Sequence, residues 1–310
     1  MARTPDTRFD YITVGHVTRD AVRDRAHGTT FQPGGSAFYS ALQAARLGLR
    51  TLIVTQGIPE EIEALLAPYR RELELHVIPA PHTTTLSVRG SDATRTQRVL
   101  AWAGPIVEPV ELDTAILHLA PVARETPVAW MGSAAFVGVT PQGLVRQWEL
   151  REGVGLMQLD APSLLGDIPL VPPDSDVLAG DISSVELDPT LLPSRFDAAV
   201  ISETECASCH ELFSAARGRE AVVAVTAGPR PTTVHLASSG ATSVVQTPRP
   251  PTVAMRDDIG AGDVFAAAFF VALAEGRTPL EAATVGNTAA AFRVAGVGPG
   301  AIGRREALTP

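Results

Sequence analysis

The stretch Asp257-Asp258-Ile259-Gly260-Ala261-Gly262-Asp263-Val264-Phe265 decides how the rest of the chain is read. Two glycines flank an alanine just before a long apolar run, Asp263 to Glu275, which reads as a helix. Glycines let backbone amides turn toward a ligand with no Cβ in the way. The helix N-terminus adds partial positive charge, so the turn suits an anion. Asp263, in the first helical turn, is placed to accept a proton from a hydroxyl nucleophile. Amides for charge and a carboxylate for the proton together form a candidate phosphoryl-transfer site. The plain alternative is a glycine-rich turn in which Asp263 only caps the helix.

Working outward, a second apolar helix follows over Leu280 to Ala295, and its small-residue stripe (Ala282, Ala283, Gly286, Ala289, Ala290) is explained by close helix packing. A hairpin over Thr232–Leu236 and Thr242–Gln246 precedes the glycine turn. Further upstream, apolar strands are expected near Ala115–Leu119, Ala135–Val139, Leu156–Leu159, Asp176–Ala179, Ala198–Ser202 and Ala221–Thr226. The first third alternates strand and helix: Phe9–Gly15, Gly35–Leu47 closed by Gly48, Thr51–Thr55, then Pro59–Leu66. That order favours an α/β fold with a parallel sheet. Two segments interrupt it, Thr18 to Pro33 and Leu73 to Trp102, the second carrying three β-like runs. We expect one domain over residues 1–310, with lid excursions at about 18–33 and 73–103. Solvent-exposed meander strands are the alternative for those excursions.

Composition removes several chemistries. All 25 basic residues of the 310 are arginine. Without lysine there is no Schiff-base chemistry, and the phosphate lysines of P-loop enzymes and protein kinases are excluded. A net charge of −9 leaves no footprint for nucleic acid or an anionic membrane. Met1 to Asp10 has no apolar signal core, and the longest charge-free stretch, Thr126 to Val145, is broken by prolines and glycines. Two cysteines cannot form a disulfide framework, so a cytoplasmic setting is expected.

With these neighbours in view, Asp257 to Phe265 resembles the C-terminal signature D-T-x-G-A-G-D-x-F of the ribokinase-like (PfkB-type) carbohydrate kinases. Pro33-Gly34-Gly35-Ser36-Ala37, with the helix ending Ala44-Ala45-Arg46-Leu47-Gly48, resembles that family's Gly-Gly signature. Gly15 to Asp20 matches its glycine-to-aspartate spacing, Val225-Thr226-Ala227-Gly228 its V-T-x-G strand end, and Pro141 to Arg146 a mid-chain Gln-Gly element. The matches run in family order across nearly the whole chain.

The resemblance implies a three-layer α/β/α fold with a mostly parallel central sheet and a small β lid. It also implies phosphorylation of a hydroxyl on a small polyhydroxylated acceptor, a sugar or cyclitol, by ATP with Mg²⁺. Carried over, Asp263 is the base and Gly260, Ala261 and Gly262 form the anion hole. Thr226 and Gly228 lie beside the nucleotide phosphates, and Asn287 lines the adenine side. Asp20, Gly34 and Gly35 hold acceptor hydroxyls, since a carboxylate accepts two hydrogen bonds from a diol. Tyr39 either stacks on an acceptor ring or fills a pocket. Glu205 organises Mg²⁺ through water, and Asp257 helps bind a monovalent cation such as K⁺, although Asp258 beside it leaves the register open. Lid strands of this family pair between subunits, which offers a homodimer through the lid as one assembly.

The chain departs from the family at several points. The N-x-x-E asparagine is Ser202, and the second glycine of T-x-G-x-x-G is absent from Thr226-Ala227-Gly228-Pro229-Arg230-Pro231. Ribokinase places asparagines where this chain has Thr18 and Tyr39. The acceptor site therefore reads as divergent, closer to members acting on cyclitols or nucleosides. A nucleoside kinase and a kinase-fold binding protein with impaired catalysis remain as alternatives. Arg89, Arg95 and Arg98 in the lid reach a phosphate or substrate oxygen, or are solvated strand-face charges. Cys206-Ala207-Ser208-Cys209-His210 spells the C-x-x-C-H haem pattern, but its place after Ser202–Glu205 favours a helix with two small thiols. Gly296-Val297-Gly298-Pro299-Gly300 follows a helix rather than a strand, so it is not a dinucleotide loop; it is expected to close over the nucleotide base.

Overall fold

The computed structural model describes residues 9–24, 28–89, 96–107, 111–148, 180–238 and 241–308. In chain order its strands are β1 (Phe9–Val14), β2 (Thr18–Asp24), β3 (Gly28–Gly34), β4 (Thr51–Gly57), β5 (Glu74–Pro79), β6 (Thr85–Arg89), β7 (Thr96–Ala101) and β8 (Thr114–Leu119). There follow β9 (Ala134–Val139), β10 (Arg146–Trp148), β11 (Gly180–Ser184), β12 (Ala198–Ser202), β13 (Val222–Thr226), β14 (Thr233–Ser238) and β15 (Ala241–Gln246). The helices are α1 (Ser36–Arg46), α2 (Pro59–Leu66), α3 (His210–Arg219), α4 (Ala261–Ala274), α5 (Pro279–Ala295) and α6 (Arg305–Leu308).

Nine strands form the main sheet, in the order β15-β14-β13-β12-β9-β8-β1-β4-β5. Every pairing from β13 to β5 is parallel, and the β14–β15 hairpin closes one edge antiparallel. Parallel strands covered on both faces should read as continuous apolar runs, and β8 and β9 do. Successive residues of β1 show the two faces. Tyr11 packs with α1, α2 and α4, whereas Ile12 and Val14 pack with α3. Helices on both faces make the arrangement three-layered, as the resemblance implied.

The second sheet has the order β10-β11-β7-β6-β2-β3 and is assembled from three excursions out of the main sheet, after β1, β5 and β9. Its β10 and β7 ends are joined by Trp102 and Trp148, stacked edge-to-face at 5.6 Å. One expectation is corrected here. The run Leu73 to Pro79 was assigned to the lid, but β5 pairs parallel with β4 as the edge of the main sheet. Leu75 and Val77 pack against the α1–α2 side and Ile78 against the other face. Alternation in a strand reveals its two faces and says nothing of its hydrogen-bonding partner. The strands expected near Leu156–Leu159 and Asp176–Ala179 lie outside the described residues. Among the described residues, no helix is long and apolar enough to cross a membrane.

From β1 the chain first builds β4 and β5 on one side, then returns to build β8, β9, β12 and β13 on the other. In open α/β sheets a crevice opens at the carboxyl ends of the strands where the order reverses. Here that point lies between Gly15, after β1, and Ala120, after β8. The backbones approach so closely that a Cβ on Gly15 would lie 2.2 Å from the Ala120 carbonyl oxygen.

Candidate active site

A cleft of about 220 Å³, open to solvent, sits above this switch point. Its lining includes Asp20, Ser36, Tyr39, Gln97, Arg146 and Asp263. Both sheets contribute, with Asp20 on β2 and Gln97 on β7 facing Asp263 on α4.

The β1–β2 turn and the start of α1 place the first carboxylate. Asp20 is 5% exposed and its Oδ1 accepts from Thr18 Oγ1 at 2.6 Å. Its other oxygen lies over Gly34, where a Cβ would be 2.1 Å from Oδ2, so only glycine leaves the carboxylate in place. Gly35 caps α1 at φ 94°, a left-handed conformation that glycine adopts without strain. A Cβ there would also strike the His16 carbonyl oxygen, at 2.3 Å. The Gly-Gly pair is thus a steric requirement of the cleft wall that carries Asp20.

The turn before α4 places the second carboxylate. Gly260 is the N-cap at φ 76°. Ala261 N donates to the Asp258 carbonyl at 3.2 Å, and Val264 N closes the first helical turn on Gly260 O at 2.9 Å. The amides of Gly262 and Asp263, which lie between them, remain for an anion. Of the Gly260–Gly262 set expected from the motif, the Ala261 amide is engaged within the turn. Gly262 is exposed and a Cβ there would meet nothing within 4 Å, so the approach is clear.

Asp263 is recessed at the cleft floor, where withdrawal from water raises its pKa to about 6, against the opposing pull of a Ser36 hydrogen bond and the Arg146 charge. Burial likewise raises Asp20 to about 6, opposed by Thr18 and Arg146. Arg146 is the cation shared by both carboxylates. Its Nη1 donates to Val122 O at 3.1 Å and its Nη2 to Gln97 Oε1 at 2.9 Å. The Val122 turn is itself held by buried Glu125, whose carboxylate accepts from the amides of His16, Val122 and Ala123. Sequence reasoning met Arg146 only as the end of a Gln-Gly-x-x-Arg element, and it gave no sign of Gln97.

Ser202 and Thr226 are in register at the carboxyl ends of β12 and β13. Ser202 N and Oγ both donate to Glu205 Oε2, at 2.7 and 2.8 Å, in a capping box that starts the turn before α3. The serine that replaces the expected asparagine therefore orients Glu205. The Glu205 charge is felt at the cleft floor, where it opposes ionisation of Asp263. Gly228 adopts φ 59° in open space.

Three comparisons bear on this geometry. Residues 174–304 match the family model described as pfkB family carbohydrate kinase. The match covers the C-terminal part of the chain, including the glycine turn and Asp263. Similar solved structures include a sulfate complex of a pyrophosphate-dependent kinase in the ribokinase family, at 17% identity and TM-score 0.67, covering 96% of this chain and 99% of that one. The Arabidopsis thaliana ribokinase bound to ribose and ATP aligns at 16% identity and TM-score 0.63, covering 97% and 98%. A double-mutant fructokinase from Vibrio cholerae O395, bound to fructose, ADP and potassium ion, aligns at 19% and 0.62, covering 96% and 97%. No curated protein sequence matches the chain.

The fold places the remaining expected residues in definite surroundings. Tyr39 is 2% exposed and lies beneath the glycine turn, where a Cβ on Gly260 would be 2.3 Å from its ring. It fills the space under the turn rather than offering a stacking face. Asn287 is buried, with Oδ1 accepting from Thr232 Oγ1 at 2.8 Å and Nδ2 donating to Thr247 Oγ1 at 3.0 Å. Its amide ties α5 to the base of the β14–β15 hairpin. Asp257 Oδ2 pairs with Arg293 Nη2 at 2.7 Å and accepts from Gly298 N at 2.9 Å, while Oδ1 accepts from Ile259 N at 3.0 Å. Burial pushes its pKa up, but these hydrogen bonds outweigh it and hold the carboxyl below its usual range. Asp258, not Asp257, lines the cleft. The Gly296–Gly300 loop is clasped by two arginines: Arg293 reaches Gly296 O, and Arg46 reaches the carbonyls of Pro299 and Gly300. Arg98 stands on β7 opposite Ser87, beside the cleft-facing Gln97, whereas Arg95 and the Arg89 side chain lie outside the described residues. Cys206 and Cys209 are free thiols, the second buried, and among the described residues no group of three or more His, Cys, Asp or Glu side chains is placed to hold a metal ion.

Proposed function

We propose that this chain transfers the γ-phosphoryl group of ATP to a hydroxyl of a small polyhydroxylated acceptor, a sugar or cyclitol. The observation that carries the reading is a single cleft that holds Asp20, Asp263 and the open amides at the start of α4. Asp20, over Gly34, accepts hydrogen bonds from acceptor hydroxyls and fixes the ring. Asp263, with a pKa near 6, is ionised at neutral pH yet basic enough to take the proton of the attacking hydroxyl. That oxygen bonds to the γ-phosphorus as the bond to the β–γ bridging oxygen breaks, and ADP leaves. The amides of Gly262 and Asp263, the α4 terminus and Arg146 stabilise the charge on the transferred group.

The donor phosphates lie along Thr226 and Gly228. Glu205, oriented by Ser202, is the residue that fits a hydrated Mg²⁺. Such an ion neutralises donor phosphate charge when bound. The fold also implies a monovalent cation at Asp257. The oxygen that would bind it already carries the Arg293 guanidinium, so that ion does not fit there.

A product-release panel of sugars, cyclitols and nucleosides, run with ATP and separately with pyrophosphate, tests the reading. The expected result is turnover with a sugar or cyclitol that falls roughly 10²–10⁴-fold in Asp263→Ala while ATP affinity is kept. Wild-type turnover in that variant would refute the base assignment. Ligand binding by calorimetry with no turnover on any acceptor would establish a binding protein instead.

A further inference from the structure

The buried arginine of α5 has a role that the reaction above does not use. Arg293 has no exposed surface and is the largest fully buried side chain among the described residues. Its guanidinium enters a set of oxygens. Nη2 meets Asp257 Oδ2 at 2.7 Å, and Nη1 meets the Asp257 carbonyl at 3.3 Å and the Gly296 carbonyl at 3.5 Å. One carboxylate and two main-chain carbonyls, converging from the segment before the anion turn and from the loop after α5, are the hard oxygen donors that suit an alkali cation. The guanidinium occupies that position with a charge it cannot lose, since arginine is not deprotonated in proteins.

The position is coupled to the anion turn by two routes. Through the chain, the other oxygen of Asp257 holds Ile259 N at 3.0 Å, one residue before Gly260. Through space, the guanidinium lies 5.6 Å from the centroid of the Tyr39 ring, which packs directly beneath Gly260. The loop after α5 is bound in as well, through Gly298 N on Asp257 Oδ2 at 2.9 Å.

We propose that Arg293 is a built-in cation: its guanidinium permanently supplies the charge and cross-link that an alkali ion would bring to the anion turn, and the protein needs no K⁺. Arg293 is thus a positioning residue, acting on donor phosphates through the turn rather than by contact. The inference rests on the phosphoryl-transfer reading for its ligand, but its first readout does not. Thermal unfolding of the ligand-free wild type is measured in KCl, NaCl and choline chloride at one ionic strength, then calorimetric binding of ATP with Mg²⁺, or of pyrophosphate if only that binds. The wild type should give the same midpoint and dissociation constant in all three salts. Arg293→Ala, which opens the oxygen set, should bind the donor at least tenfold more weakly in choline chloride and gain affinity and thermal stability when KCl replaces it.

A saturable K⁺ response of the wild type in either measurement overturns the proposal, as does unchanged donor affinity in folded Arg293→Ala. If that variant does not fold, the wild-type salt series decides alone, with Arg293→Lys as the charge-retaining control that should stay K⁺-independent. Salt-independent donor binding without turnover on any acceptor would sink the catalytic reading and leave this one standing.

Discussion

Buried Asp20 and half-buried Asp263 make the acid limb of the pH profile the most demanding test of the proposed chemistry. Both Asp20 and Asp263 sit near pKa 6 because burial disfavours their charged forms. Both must be ionised, one to hold the acceptor and one to take its proton. At pH 5 a group of pKa about 6 is ionised in roughly one molecule in eleven, so a single such group lowers the rate about tenfold. Two independent groups lower it about a hundredfold, and the logarithm of kcat/KM should fall with a slope approaching two below pH 5.5. Interaction between them would spread the two steps without abolishing either. The assay is kcat/KM for the best acceptor from pH 4.5 to 8 in constant-ionic-strength buffers, with donor saturating. Asp20→Asn should reduce the limb to a slope of one, at lower overall kcat/KM. Arg146→Gln removes a cation that favours both carboxylates, so it should move the limb to higher pH. A profile flat to pH 4.5 in an intact protein would refute the buried-carboxylate mechanism, because ordinary carboxyls near 4 would remain ionised there.

The same burial has a stability consequence of definite sign. A carboxyl whose folded pKa is raised opposes folding once ionised, so its contribution is most favourable below about 4 and is lost as pH rises through about 6. Asp263→Asn should therefore raise the unfolding midpoint at pH 8, by an amount that shrinks as pH falls from 6 toward 4; a lowered midpoint at pH 8 contradicts this. Gly34→Ala drives a Cβ to 2.1 Å from Asp20 Oδ2 and displaces that carboxylate. It should raise the acceptor KM at least tenfold and leave donor affinity intact, which steady-state kinetics and calorimetry separate. Gly260→Ala meets both a left-handed φ of 76° and the Tyr39 ring at 2.3 Å. The backbone term alone costs about 1–2 kcal/mol, so thermal unfolding should show a lower midpoint and kinetics a tenfold or greater fall in kcat.

Much of the site was legible because its requirements are local. The turn Gly260-Ala261-Gly262-Asp263 needs a positive φ, a helix start and a carboxylate in the first turn, all set by adjacent residues. Gly34 and Gly35 are similar, since their neighbours along the chain force them. The Asp257–Arg293 pair was not legible, because Arg293 lies on another helix and nothing in the local pattern announces it. Asn287 was visible as a polar residue in an apolar helix, but only packing shows its amide turned toward Thr232 and Thr247. Tyr39 could have faced the ligand or the core, and the closeness of Gly260 decides for the core.

By itself the sequence determined the alternation of strands and helices, the glycine turn with its carboxylate, and the exclusion of chemistries that need lysine. These depend on periodicity, on glycine's conformational freedom and on residue chemistry, which short segments carry whole. Tertiary structure decided which sheet received β5, which amides remained open, which carboxylates shared Arg146, and which cation the Asp257 oxygens bound. Each of those depends on groups distant along the chain meeting in a solvent-poor interior. There, the desolvation cost of an unpaired charge makes the choice of partner matter most.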